Sequence, residues 1–103
     1  MSFAQLHIHN YTGSLLDGIA SPKEYAEKAY TLGHNALACT DHGSMRAHYE
    51  HQRACDAFGI KPVFGVEAYV ADELETYDEK GKRKRTKNYH ITLLAQNETG
   101  YKN

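Results

Sequence analysis

Two histidines separated by a single residue, His7 and His9, are the first side chains in the chain with the means to do chemistry. They sit in or beside the run Phe3 to Ile8, which is apolar at Phe3, Leu6 and Ile8. On a strand, residues i and i+2 face the same way and lie roughly 6.6 Å apart along the chain. Two imidazoles on one face can grip one metal ion or two neighbouring ones. Asp17 follows in a loop and offers an oxygen ligand, and Asp41-His42, Glu67 and His90 offer further donors downstream. Imidazole and carboxylate together suit zinc, manganese or iron. A carboxylate such as Glu67 can bridge two ions, and paired ions polarise a phosphoryl oxygen and generate a hydroxide nucleophile.

Each of these residues also has a plainer reading. His7, His9 and His90 can be surface or hydrogen-bonded histidines, Asp17 a turn former between Leu16 and Gly18, and His42 a turn cap. Glu67 is harder to dismiss. It stands inside an apolar strand pattern, where a carboxylate without a cation or donor is costly. Other chemistries lack their motifs: the chain has no P-loop, no dinucleotide fingerprint and no G-x-S-x-G. His34, His48 and His51 read as helix-flank or surface groups, with His51 better placed as a satisfied core histidine.

The elements that must position these donors are legible in the pattern. Phe3 to His9 reads as a first strand. A loop follows to Ile19, and then a helix start: Ser21 as N-cap, Pro22 at the first position and Glu24 completing a capping box. This helix runs to about Leu32, with Gly33 as terminator. Ala36 to Thr40 is a short apolar run, the signature of a buried parallel strand, with Asp41 and His42 at its carboxyl end. Ser44 is placed to cap a second helix from Met45 to about Phe58, with Ala47, His51, Ala54 and Phe58 on one face. Pro62 to Val70 reads as a third strand and Tyr89 to Ala95 as a fourth.

The order β-α-β-α-β-β predicts an α/β fold whose first strands are parallel, with sites at their carboxyl ends. His7, His9, Asp41 and His42 obey that rule. His90 does not, because it falls near the start of its strand. Between the last two strands, residues 71–88 have an acidic half and a basic half around Gly81 and read as a long hairpin or an open loop. The basic cluster Lys80, Lys82, Arg83, Lys84, Arg85 and Lys87 is either a solvated tip or a contact for nucleic acid phosphates.

Length and composition set the bounds. The chain has 103 residues, room for one domain, and a net charge of -1, so no global field draws it to nucleic acid or membrane. No stretch approaches a membrane span, and the start lacks a signal peptide pattern. Cys39 and Cys55 are expected to be buried free thiols in a reducing, cytoplasmic compartment. Four strands and two helices would leave a sheet edge and apolar surface exposed.

Four blocks carry a resemblance: F-A-Q-L-H-I-H…S-L-L-D-G at 3–18, A-L-A-C-T-D-H-G-S-M at 36–45, G-I-K-P-V-F-G-V-E-A-Y-V at 59–70, and H-I-T-L-L-A-Q-N-E-T-G-Y-K-N at 90–103. Together they resemble the start of the PHP (polymerase and histidinol phosphatase) domain, in the form that opens the alpha subunit of bacterial or phage DNA polymerase III. The resemblance implies a distorted β/α barrel, of which this chain would be the N-terminal portion, truncated at about four strands. It implies His7, His9, Asp17, His42, Glu67 and His90 as ligands of divalent metal ions, zinc or manganese, and overrides the strand-end objection to His90. It places the remaining ligands beyond Asn103 and the polymerase domains outside the chain. Gln5 stands where many members have another histidine, and N-Y-T-G-S replaces the usual E-Y-S.

The function so implied is part of a metal-dependent phosphoesterase or 3′–5′ exonuclease-like site, inactive by itself. Asp41 and Glu67 are the residues expected to serve catalysis, Glu67 as ligand and Asp41 by orienting a ligand imidazole. The alternative is a non-catalytic segment that supports polymerase assembly, with metal serving folding. The expected partners are DNA through the complete polymerase, a complementary C-terminal fragment or other replisome subunits, and no membrane.

Overall fold

The computed structural model describes residues 2–103 of the chain. Its main sheet takes four strands in the order β1 (Ala4–Gln5), β2 (Ala36–Cys39), β3 (Lys61–Val70) and β6 (Tyr89–Leu94). The first three are parallel and β6 runs antiparallel to β3. Helices α1 (Pro22–Thr31) and α2 (His48–Phe58) fill the crossovers. A two-stranded hairpin, β4 (Thr76–Tyr77) and β5 (Arg83–Lys84), lies between β3 and β6, and the short α3 (Glu98–Lys102) follows β6. The α/β fold expected from the pattern is therefore present, and its four-stranded sheet is the half-barrel that the resemblance implied. Among the described residues no helix is long and apolar enough to cross a membrane.

Helix α1 starts as its sequence dictates. Ser21 Oγ accepts from the Glu24 N–H, and the Glu24 carboxylate accepts from the Ser21 N–H at 2.7 Å, a closed capping box with Pro22 at the first turn. Helix α2 differs from expectation: it begins at His48 rather than Met45, and Ala47 supplies no side-chain cap. Ser44 Oγ instead accepts from the Arg46 N–H at 3.2 Å, a local turn that competes with helix formation. Gly59 closes α2 with φ +66°, a left-handed conformation open to glycine at little cost.

One cluster joins the layers: Ala26 and Ala29 of α1, Leu37 of β2, Ala54 and Cys55 of α2, and Ile60, with Ile8, Tyr25 and Phe58 packed against it. Small side chains dominate, so the core is thin. Both cysteines are buried free thiols, as expected. Burial pushes the Cys39 thiol up to about 12, with Asp41 adding to it, and Cys55 up to about 11, so neither is a thiolate near neutrality. His51 is the core histidine its position suggested, its Nε2–H donating to the Leu37 carbonyl at 2.9 Å. His48 is not a flank group: it is buried, with Nε2 at 2.8 Å from the Gly65 carbonyl and Nδ1 at 3.2 Å from the Tyr101 hydroxyl.

The first strand is shorter than the run Phe3 to His9. Gln5 and Ile8 both line the α1 side of the sheet beside Leu37 and Ala29. In an unbroken strand they would face opposite ways. The chain therefore shifts phase after Gln5, and the ladder is replaced there by a clamp. The Thr40 hydroxyl accepts from the Ile8 N–H at 2.8 Å and donates to the Ile8 carbonyl at 3.0 Å, while the Thr40 N–H donates to the same carbonyl at 3.1 Å.

Candidate metal centre

The carboxyl ends of β1, β2 and β3 gather the donors around Glu67. The β2–β3 register pairs Ala36 with Lys61 and Cys39 with Phe64. Continued past a break, the same register sets His42 opposite Glu67 in an isolated parallel bridge. The Glu67 N–H donates to the Asp41 carbonyl at 3.0 Å, and the Gly43 N–H donates to the Glu67 carbonyl at 2.9 Å. Strand β6 approaches from the other side, with Glu67 opposite Thr92 and Tyr69 opposite His90. Because β6 is antiparallel, its first residues lie at the carboxyl end of β3. His90 is thus diagonal to Glu67 on the same face, which answers the apparent misfit of a donor at the start of a strand.

Four imidazoles surround the Glu67 carboxylate. His7 Nε2 lies 3.1 Å from Oε1. His9 Nε2 and His90 Nδ1 each lie 3.6 Å from Oε2, and His42 Nδ1 lies 2.5 Å from it. Asp17 reaches the far side of His42, with Oδ2 at 2.7 Å from Nε2. The His9 and His42 rings stack with centroids 4.1 Å apart. Three sets of donor atoms each fall within 4.8 Å: His7, His9 and Glu67; His9, Asp17 and His42; and His42, Glu67 and His90. All six residues expected as ligands are therefore brought together, and Glu67, His9 and His42 each belong to two sets.

The donor atoms fit a cation better than they fit one another. Glu67 is buried, and although His42 Nδ1 stands 2.5 Å from its Oε2, the two do not meet in hydrogen-bond geometry, so neither atom has a hydrogen-bond partner; the buried His9 Nδ1 has none either. Buried polar atoms left without partners are rare because each costs the loss of its hydration. Nitrogen and carboxylate donors that converge in this way are suited to a borderline divalent ion.

Asp41 is placed differently from the expectation. It is fully buried and, among the described residues, makes no hydrogen bond or ion pair with an imidazole. Its Oδ1 accepts from the Asn10 N–H at 2.8 Å and from the Ser14 hydroxyl at 2.9 Å, and its Oδ2 accepts from Asn10 Nδ2 at 2.7 Å. As the residue next to His42 on an extended chain, it points to the opposite side of the sheet. Its influence on the donors is indirect. Ser14 Oγ accepts from the His42 N–H at 3.2 Å, and the loop fixed by Asn10 and Ser14 carries Asp17.

Asn10 and Ser14 are positioning residues that sequence reasoning passed over. Asn10 Oδ1 accepts from the N–H groups of Thr12 and Gly13 at 3.0 and 3.2 Å. The Ser14 N–H donates to the Asn10 carbonyl at 2.8 Å, and the Ser14 carbonyl accepts from the Gly18 N–H at 2.8 Å. The signal in the sequence was an Asn heading a Gly-containing loop, a known turn former.

Comparison with known proteins follows the same lines. A family model described as "PHP domain" matches residues 5–103. Over its whole length the chain is 46% identical to the DNA polymerase III subunit alpha of Treponema pallidum (strain Nichols) and 35% identical to that of Chlamydia pneumoniae. It is 41% identical to the subunit of Thermus aquaticus, again over the full chain. It spans only 9%, 8% and 8% of those proteins, respectively. A solved structure described as "a putative metal-dependent phosphoesterase" from Bifidobacterium adolescentis ATCC 15703 superposes with a TM-score of 0.68 at 22% identity. That match covers 96% of this chain and 30% of the other, and at this identity the likeness is one of fold.

Proposed function

The chain belongs to the PHP domain family, and from that premise we propose that it carries part of a metal-dependent phosphoesterase centre within a DNA polymerase III alpha subunit. The observation that carries this reading is the orphaned, buried Oε2 of Glu67 among four imidazoles. Glu67 would be the shared ligand, with His7 and His9 on one side, His42 and Asp17 on another, and His90 from β6. Divalent ions, zinc or manganese, would supply Lewis-acid polarisation of a phosphoryl oxygen and make water acidic enough to attack it.

The residues of the chain itself hold and orient. Asp41 acts through Asn10 and Ser14 to fix the loop of Asp17 and the backbone of His42. It is a positioning residue in this reading, with no place among the reacting groups. The side chains of His7 and His90 are about half exposed, at 51% and 45%. The substrate proposed is the 3′ end of a DNA strand, and the partners are DNA and other replisome subunits acting through the longer protein.

A structural reading has its own support. Strands β3 and β6 each carry a donor and the segments just past β1 and β2 carry others, while half of the buried core cluster beneath is alanine. Ions there would tie the strands together and add binding energy to folding. Elemental analysis of the longer protein purified without chelator, followed by its hydrolysis of a simple phosphodiester with and without added manganese or zinc, separates the two. Bound metal with metal-dependent turnover supports the phosphoesterase. Bound metal that raises the melting temperature without turnover supports the structural role. Absence of bound metal would sink both.

A further inference from the structure

The hairpin between β3 and β6 takes no part in the metal centre. Thr76 pairs with Lys84 and Tyr77 with Arg83, and among the described residues no other strand or helix packs extensively on the two strands. The hairpin leaves the sheet at the paired residues Val70 and Tyr89, beside His90, so it is rooted at the same end as the candidate centre.

Its charges are segregated by strand, the acidic outgoing half lying beside the basic returning half, with one more cation than carboxylate. The outgoing half carries Asp72, Glu73, Glu75, Asp78 and Glu79, and the returning half carries Lys80, Lys82, Arg83, Lys84, Arg85 and Lys87. Asp78 is engaged in the turn, its Oδ1 accepting from the Lys80 and Lys82 N–H groups at 2.9 and 2.8 Å. Glu75 accepts from the Tyr77 hydroxyl at 2.6 Å and lies 3.6 Å from Arg83 Nη2. Among the described residues that is the one ion pair of the hairpin, so Lys80, Lys82, Lys84, Arg85 and Lys87 are exposed and reach no carboxylate.

We infer that the β4–β5 hairpin is an arm that binds duplex nucleic acid through its backbone phosphates. Side chains alternate along a strand. Lys84 therefore shares a face with Thr76, while Arg83 shares the opposite face with Tyr77. Cations projecting from both faces of a narrow ribbon suit a groove with phosphates on both walls, and the major groove of B-form DNA admits a two-stranded ribbon. A flat lipid surface would meet only one face. The match to DNA polymerase subunits favours the same partner. Phosphate binding by the arm does not depend on metal occupancy.

The test is fluorescence anisotropy of a short labelled DNA duplex with the full chain in EDTA, across a salt series, with circular dichroism establishing that the metal-stripped chain is folded. Duplex binding is expected at low salt. Replacing the free cations (K82Q/K84Q/R85Q/K87Q) should weaken it at least about tenfold and flatten the plot of log K against log salt by about 0.9 for each phosphate no longer neutralised. The charge-preserving set K82R/K84R/R85K/K87R should retain both affinity and slope, and circular dichroism checks the fold of each variant. Unchanged binding by the neutralised variant, no duplex binding at low salt, or a preference for single strands or phosphatidylserine vesicles would each overturn the inference. Because EDTA strips the metal centre, these outcomes leave the phosphoesterase reading to its own experiment.

Discussion

His42 lies opposite Glu67 in the register that Ala36 and Lys61 begin, and its Nδ1 comes within 2.5 Å of the Glu67 Oε2. The backbone pairing of β2 and β3 thus sets the separation of two donors that are far apart in sequence. The pair is the hinge of the centre, since each residue belongs to two of the three donor sets.

That sharing predicts unequal effects of substitution. Glu67→Gln removes a carboxylate from two sets, whereas His90→Ala touches only one. Metal content by elemental analysis should fall further in the first variant than in the second. The affinity lost with Glu67 should exceed the roughly 10–100-fold typical of losing an outer-shell partner. Equal metal content in the two variants would contradict the shared role of Glu67.

Asp41→Ala should destabilise the fold. It leaves Asn10 N–H, Asn10 Nδ2 and the Ser14 hydroxyl without their acceptor in a buried site. Bonds to a charged acceptor contribute about 1.5–3 kcal/mol each, so a loss of about 3 kcal/mol or more is expected in urea unfolding. Asp41→Asn should fall between, because its amide turns one acceptor into a donor.

Gly13→Ala should disturb the same loop by crowding. A Cβ at Gly13 would overlap the Asp41 carboxylate, which is itself buried and fixed. Overpacking of this kind costs about 1–3 kcal/mol. Differential scanning calorimetry should show a lower melting temperature, and metal content should drop because Asp17 rides on that loop.

His51 should make stability fall in acid. Burial holds its pKa below the ordinary histidine value, opposed by the bond to the Leu37 carbonyl and by Asp41, and reinforced by nearby His48. The unfolded chain takes up this proton near pH 6.5, before the folded one does. Its contribution is therefore full above about pH 6.5 and is lost as pH falls toward the depressed folded value. The slope from this group is at most about 1.4 kcal/mol per pH unit. Urea midpoints at pH 7.5 and 5.5 should differ less for His51→Gln, which keeps a donor for Leu37.

Much of the frame was legible because local rules governed it. The capping box at Ser21 and Glu24, the apolar run of β2 and the stop at Gly59 all act within a few residues. Where a local bond competed, the reading failed, as at Ser44, whose bond to Arg46 delays α2. The phase shift after Gln5 was hidden too, because it depends on the distant Thr40 hydroxyl clamping Ile8.

The sequence by itself determined the donor types, their order on successive elements and the family, since chemistry and motif spacing reside in the residues. Only the tertiary structure decided which donors meet. Register and strand direction are long-range quantities: an antiparallel β6 brings His90 to Glu67, and the β2–β3 offset brings His42 there. The same geometry turns Asp41 away from its neighbour His42 and buries it with Asn10 and Ser14, because adjacent residues on an extended chain face opposite sides.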